Sequence, residues 1–251
     1  MQIAIGTYDH TKALKDGSVT APGLSFDFFD VSPITRAFRP MATEQAYDVA
    51  EMALVTYMLA RIYNKPIVAL PIVLVRSSLL PGLVTAESSP ITDPRDLNGK
   101  TLGIRSYTQT SGVWVRGILQ DGFGVDLGSL KWVTFEGAHL DEYSDPPSAT
   151  RAPADANMAA MVKSGELAAA IGVPVGDGLR SLVPNAAPLA PWSSGRVKSS
   201  PAIRVWMGWS SKSSSGVSVF RTRKSATRSR PRSNRPALFS LTRTAAASVF
   251  A

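Results

Sequence analysis

The best candidate for a binding site is the stretch SYTQTS, six hydrogen-bonding side chains between the strand-like segment TLGIR and a helix-like segment. At such a junction the free backbone N–H groups and the helix dipole favour a bound anion. The stretch therefore predicts a carboxylate-binding loop, although Thr110 or Ser111 could serve only to cap the helix. The predicted substrate-binding residues of this loop are Ser106, Tyr107, Thr108, Gln109, Thr110 and Ser111.

A second candidate group, Asp9, His10 and Thr11, follows the first strand-like segment. His10 could donate a hydrogen bond to a ligand carboxylate or act as a general acid. A lone histidine at such a place is more often an ordinary loop or capping residue. His10 and His139 are the two histidines of the chain, which excludes a multi-histidine metal site and leaves a mixed histidine and carboxylate site open.

Further residues could complete a site for a carboxylate. Glu51, near the end of a strand-like segment, could serve as an alternative acid, and a surface or helix-start role fits it equally well. Arg76 and Arg105 each follow an apolar strand and could clamp a carboxylate, although a solvated arginine is the commoner case. Trp114 and Trp132 lie in apolar patterns that predict core positions, with stacking on an aromatic ligand the less favoured role for Trp114.

The elements that must position these residues alternate between strand and helix signals over the first 190 residues. This alternation predicts an α/β fold with largely parallel sheets. No glycine-rich nucleotide fingerprint follows a strand, and the chain has no cysteine. We expect neither a cofactor nor a metal, and thiolate chemistry is excluded.

Four stretches together resemble the 4,5-dihydroxyphthalate decarboxylase-like proteins, which have the type II periplasmic-binding-protein fold. They are GTYDHTKALKDGSV, DVAEMALVTYMLAR, ITDPRDLNGKTLGIRSYTQTSGVWVRGILQDGFGV and MAAMVKSGELAAAIG. The resemblance implies two α/β lobes with a ligand cleft between them: lobe one at residues 1–92 and lobe two at 93–185. The chain departs from the family pattern at Ala168, where an aspartate is usual, and at His10, where many members have arginine.

The function that the resemblance implies is binding of a small aromatic carboxylate and its decarboxylation by a carboxy-lyase. The first alternative is a solute-binding protein that delivers a small organic anion to the permease of an ABC importer. The sequence also leaves open that the chain forms a homo-oligomer. The N-terminal segment lacks a signal-peptide pattern, which predicts a cytoplasmic protein, or an extracytoplasmic one if a signal was removed.

The charge is distributed unevenly along the chain, whose formal net charge is +8. Residues 193–251 hold 12 of the 27 basic residues and no acidic one, whereas residues 1–192 hold 15 basic and 19 acidic residues. A basic tail can bind phosphate backbones, so a nucleic-acid-associated protein is a second alternative. The acidic body makes it the least favoured one. The longest apolar run, PIVALPIVLV, is too short to span a bilayer.

The tail itself is unusual in composition. Its segment SSKSSSGVSVFRTRKSATRSRPRSNRP combines serine, arginine and proline without helical periodicity. We predict that residues 186–251 are irregular, and that a frameshifted or divergent sequence has replaced the closing helices of lobe one.

Overall fold

The computed structural model describes residues 1–184 and the backbone of residues 214–221. The chain divides into two compact units. Within the described residues, the first unit comprises Met1–Arg76 and the segment Ser214–Arg221, and the second comprises residues 77–184. Each unit combines one sheet with helices, so the predicted two-lobed α/β class is confirmed.

The first unit is built on a five-stranded sheet. Its strands are β1 (Gln2–Ala4), β2 (Asp27–Phe28), β3 (Val49–Ala53), β4 (Ile67–Arg76) and β11 (Ser214–Arg221), and its helices are α1 (Asp9–Lys15), α2 (Phe38–Glu44) and α3 (Leu54–Ile62). The strand order is β2-β1-β3-β11-β4. β1 runs parallel to β2 and β3, and β11 runs antiparallel to both β3 and β4. The carboxyl ends of β1 to β4 therefore share one edge of the sheet.

The second unit contains a six-stranded sheet with the order β10-β5-β9-β6-β7-β8. Its strands are β5 (Leu83–Ala86), β6 (Thr101–Ile104), β7 (Lys131–Thr134), β8 (Ala149–Arg151), β9 (Ala169–Ile171) and β10 (Leu179–Ser181), and its helices are α4 (Thr110–Phe123) and α5 (Met158–Lys163). β9, β6, β7 and β8 are parallel, whereas β5 runs antiparallel to both of its neighbours. The prediction of largely parallel sheets is confirmed.

Helix α4 carries the predicted carboxylate loop at its start and packs on the core of the second unit. Gly112 allows a close approach to β6, since a Cβ at this position would lie 2.0 Å from Ile104 Cδ1. Gly124 adopts the left-handed conformation (φ 69°) that ends the helix. Trp132 is 2% exposed and belongs to this core, as predicted, and Trp114 is half-buried.

The unit boundary differs from the expected one. It lies between Arg76 and Ser77 rather than near residue 92, because β5 pairs with β9 and β10 of the second sheet.

The tail that we expected to be irregular contributes one regular element, β11, to the first sheet. The rest of this tail, residues 186–213 and 222–251, where the frameshifted or divergent sequence is predicted, lies outside the described residues. No helix among the described residues is long and apolar enough to cross a membrane.

Candidate functional site

The loop after β1 is held by a buried carboxylate on the neighbouring strand. Register places Val49 and Ala50 of β3 opposite Ile3 and Ala4 of β1, which brings Glu51 level with the loop. Glu51 is 3% exposed. Its Oε2 accepts a hydrogen bond from the Gly6 backbone N–H at 3.0 Å, and its Oε1 accepts one from the Tyr8 hydroxyl at 2.8 Å. Both oxygens of the predicted acid therefore bind groups of the adjacent loop.

The environment of Tyr8 disfavours its ionised form. Burial raises the pKa of the Tyr8 hydroxyl most, and the hydrogen bond to the Glu51 carboxylate together with its negative charge raises the pKa further. Tyr8 consequently acts as a hydrogen-bond donor at neutral pH. Because Glu51 lies 43 residues away in sequence, the motif by itself does not indicate this pairing.

Thr11, a predicted substrate-binding residue, closes the same loop from α1. It is 4% exposed. Its hydroxyl donates to the Gly6 carbonyl at 2.8 Å and accepts from the Tyr8 backbone N–H, also at 2.8 Å. The hydroxyl thus fixes the turn between β1 and α1.

His10 and Asp9 lie on the exposed side of the first turn of α1. The His10 ring stacks on the Tyr8 ring at a centroid distance of 5.4 Å and an interplanar angle of 11°. The structure therefore brings His10 together with Tyr8 and Glu51.

Lys15, which sequence reasoning missed, donates from Nζ to Thr7 Oγ1 at 2.6 Å and to the Ile5 carbonyl at 3.3 Å. It adds a cation to this loop.

In the second unit, the predicted carboxylate loop lies at the carboxyl end of β6. Four of its residues are nearly buried, and two of them contact each other: Ser106 Oγ lies 3.2 Å from Thr108 Oγ1. The backbone N–H of Gln109 donates to the Ser106 carbonyl at 2.9 Å, which closes the turn before α4. The four buried residues are Ser106, Tyr107, Thr108 and Thr110. The loop is thus a compact polar turn that leads directly into the first turn of α4.

Two polar atoms at this turn have no internal partner. Gln109 Oε1 and Ser111 Oγ are buried and accept or donate no hydrogen bond within the described part of the chain. The Gln109 side chain lies against Gly172, just after β9, with Nε2 3.2 Å from the position that a Cβ would occupy there. Because buried polar atoms are normally satisfied, each of these two atoms has unused hydrogen-bonding capacity.

The two arginines predicted as carboxylate clamps are placed differently. Arg76 ends β4 and is exposed, at the same edge of the first sheet as Glu51 but separated from β3 by β11. Arg105 lies 3.4 Å from Glu136 in an ion pair whose side chains are 35% and 55% exposed. Such an exposed pair contributes little to stability. The Arg105 guanidinium is thus engaged with Glu136, and a role of Arg76 in ligand binding stays a prediction.

Within residues 1–184, no group of three or more histidine, aspartate and glutamate side chains could hold a metal ion. Each unit offers its own cluster: the Glu51, Tyr8 and His10 group in the first and the Ser106–Ser111 loop in the second. The ligand cleft that the resemblance implies between the two lobes stays a prediction.

No protein-family model matches the chain. The resemblance to 4,5-dihydroxyphthalate decarboxylases is confirmed by two such proteins. The chain is 31% identical to the one from Comamonas testosteroni over 134 residues, which cover 53% of this chain and 40% of that protein. It is 28% identical to the one from Pseudomonas putida over 185 residues, which cover 68% and 69% of the two chains.

Solved structures with a similar arrangement include periplasmic binding proteins. The aliphatic sulphonate binding protein SsuA from Escherichia coli has a TM-score of 0.48 at 14% identity, covering 88% of this chain and 61% of that chain. The alkanesulfonate-binding protein SsuA from Xanthomonas axonopodis pv. citri, bound to MOPS, has a TM-score of 0.41 at 11% identity, covering 78% and 54%. At these values the likeness establishes neither a ligand nor an activity.

Proposed function

We propose that the chain binds a small aromatic dicarboxylate such as 4,5-dihydroxyphthalate and removes one carboxylate as carbon dioxide. The observation that supports this proposal is the polar turn Ser106–Ser111 at the start of α4, where Gln109 Oε1 and Ser111 Oγ are buried without a partner. The sequence similarity to 4,5-dihydroxyphthalate decarboxylases supplies the class of ligand. The match spans less than half of the Comamonas protein.

The reaction requires two tasks of the protein. One ligand carboxylate must be held by hydrogen bonds, which we assign to the N–H groups of α4 together with Gln109 and Ser111. The second carboxylate leaves as carbon dioxide when its bond to the ring breaks, and the electron pair stays on the ring carbon. A proton must then reach that carbon to give 3,4-dihydroxybenzoate.

We assign this proton transfer to His10. Its ring is exposed on the first turn of α1, whereas both Glu51 oxygens accept hydrogen bonds from the loop. Glu51 and Tyr8 accordingly hold the loop that carries His10. Asp9, Thr11 and Arg76 stay predicted ligand contacts, with the Thr11 hydroxyl already engaged in the turn.

The direct test is release of carbon dioxide from 4,5-dihydroxyphthalate, measured together with binding by calorimetry. We expect His10→Ala to reduce the rate of release by a factor on the order of 100 or more, the usual range for loss of a general acid. Its affinity for the substrate should stay within about threefold of the wild type, because the hydrogen bonds to the anchored carboxylate are assigned to other residues. His139→Ala, which removes the other histidine, is the matched control and should leave both quantities unchanged.

The same measurements also distinguish a carboxy-lyase from a solute-binding protein. A binding protein for a small organic anion needs the same anchor and no acid. If the wild-type chain binds 4,5-dihydroxyphthalate and releases no carbon dioxide, the carboxy-lyase assignment is wrong and the binding-protein assignment replaces it.

A further inference from the structure

Arg116 on the second turn of α4 is a buried cation that the reaction outlined above does not use. It is 5% exposed. Side chains on a helix point back toward its N-terminus, and this one reaches the preceding loop. Its Nη2 donates to the Tyr107 carbonyl at 2.9 Å, and its Nη1 lies 3.5 Å from the position that a Cβ would have at Gly112. The guanidinium is therefore placed between the carboxylate loop and the first turn of α4.

Aromatic rings surround the charge. Arg116 Cζ lies 4.0 Å from the centroid of the Tyr107 ring and 5.4 Å from that of the Trp132 ring. The two rings meet edge to face at 6.1 Å and 85°. These contacts orient the guanidinium, and the faces of the rings stabilise its positive charge.

The charge is incompletely compensated inside the second unit. Arg116 Nη1 has no hydrogen-bond partner among the described residues. Burial lowers the pKa of the Arg116 guanidinium, while electrostatic interactions with Tyr107, Tyr143 and Asp145 act in the opposite direction. A buried cation with an unused donor destabilises a fold. Replacing such a charge with an apolar side chain of similar volume often leaves the free energy of unfolding unchanged or raises it. A nearby bound anion would offset that cost, since charges interact strongly in a water-poor environment.

We propose that Arg116 is a positioning residue of the carboxylate loop. It holds the Tyr107 carbonyl, fixes the turn that presents Gln109 and Ser111, and places a positive charge behind the point where a ligand carboxylate binds. The inference rests on the proposed anion-binding function of the Ser106–Ser111 turn and does not depend on decarboxylation.

The test compares the wild-type chain with Arg116→Met, which removes the charge, and with Arg116→Lys, which retains it. Amide hydrogen exchange reports on the turn, and calorimetry gives the affinity for 4,5-dihydroxyphthalate and for inorganic sulfate. We expect exchange over residues 105–112 to be at least about tenfold faster in Arg116→Met, and binding to be weaker by a similar factor. Arg116→Lys should recover part of the affinity, because a cation remains.

Arg180→Met is the matched control in the same unit. Arg180 Nη2 donates to the Ile91 carbonyl at 2.6 Å, so its loss also removes a bond between an arginine and the backbone. It should leave the affinity and the exchange of residues 105–112 at wild-type values.

Three results would overturn the inference. Arg116→Met could behave as the wild type in both measurements. The Lys and Met variants could lose affinity equally while exchange rises across the whole second sheet, which would indicate a structural role alone. Wild type could bind neither anion. If sulfate protects the turn in the wild type and not in Arg116→Met, whereas 4,5-dihydroxyphthalate does not bind, the Arg116 inference stands and the proposed substrate is wrong.

Discussion

Ser111 and Ser106 lie five positions apart and differ in their hydrogen bonding. Ser111 Oγ is buried without a partner among the described residues, whereas Ser106 Oγ lies 3.2 Å from Thr108 Oγ1. We therefore predict that Ser111 contacts the ligand and that Ser106 stabilises the turn. The difference also yields opposite expectations for two chemically identical substitutions.

We expect Ser111→Ala to weaken binding of 4,5-dihydroxyphthalate by about tenfold, which is about 1.4 kcal/mol, while changing the free energy of unfolding by less than about 0.5 kcal/mol. Ser106→Ala should instead lower the free energy of unfolding by about 1 kcal/mol, because it removes an internal hydrogen bond. Calorimetry and urea unfolding measure the two quantities. A larger loss of stability in Ser111→Ala than in Ser106→Ala would contradict the assignment.

The pair formed by Tyr8 and Glu51 predicts a pH dependence of stability. The pKa of Tyr8 is raised in the folded protein, mainly by burial, above its value of about 10 in an unfolded chain. The stabilisation is therefore fully present below pH of about 10. It is lost as pH rises further, because the unfolded state then releases the tyrosine proton first.

Tyr8→Phe tests this interaction. At pH 8 we expect it to lower the free energy of unfolding by about 1 to 3 kcal/mol, since the buried Glu51 carboxylate loses a donor. Above pH of about 10 the difference between wild type and variant should shrink, as only the wild type can ionise at this position. Urea unfolding from pH 8 to 11 measures both effects, and a constant difference over this range would show that Tyr8 does not titrate as inferred.

At the scale of elements, two of the three glycines of helix α4, Gly112 and Gly117, have opposite surroundings. A Cβ at Gly112 would lie 2.0 Å from Ile104 Cδ1, and Ile104 is fully buried in β6. A Cβ at Gly117 would meet no atom within 4 Å. Gly112 therefore sets how closely α4 can approach its sheet, whereas Gly117 contributes only backbone freedom.

The two alanine substitutions should change stability in opposite directions. Gly117→Ala should raise the free energy of unfolding by about 0.5 to 1 kcal/mol, because alanine favours helix and reduces the freedom of the unfolded chain. Gly112→Ala should lower it by about 1 to 3 kcal/mol through overpacking against Ile104. Urea unfolding provides the comparison, and equal effects would exclude the close packing of α4 on β6.

At the scale of the whole molecule, the two units depend differently on the C-terminal region. β11 pairs with β3 on one side and with β4 on the other, whereas the described strands of the second sheet all come from residues 83–181. A defect in β11 should therefore weaken the first unit and spare the second.

Val219→Pro introduces such a defect, because Val219 pairs with Ala50 and Ala69 in the middle of the sheet and proline has no N–H to donate. We expect amide exchange in β3 and β4 to accelerate at least tenfold, while that in β6, β7 and β9 stays unchanged. Val219→Thr keeps the N–H and is the matched control. Equal acceleration in both sheets would show that the units unfold together.

Local patterns in the sequence were sufficient to predict the α/β class, helix α4 with its glycine end, the buried Trp132 and the polar turn Ser106–Ser111. These features depend on the order of neighbouring residues, since periodicity and capping act within a few positions. The similarity to 4,5-dihydroxyphthalate decarboxylases was likewise contained in contiguous motifs. The ligand contacts of individual residues stay predictions.

Only the tertiary structure decided which distant residues meet. It placed Glu51 beneath the loop of Tyr8, set Arg116 behind the Tyr107 carbonyl, moved β5 into the second sheet and inserted β11 between β3 and β4. Strand order and register are fixed by pairing between segments that are far apart in sequence, and one residue of slip would exchange the two faces of a strand. The sequence therefore determined the chemical groups that this protein can use, and the pairing of its strands determined which of them face each other.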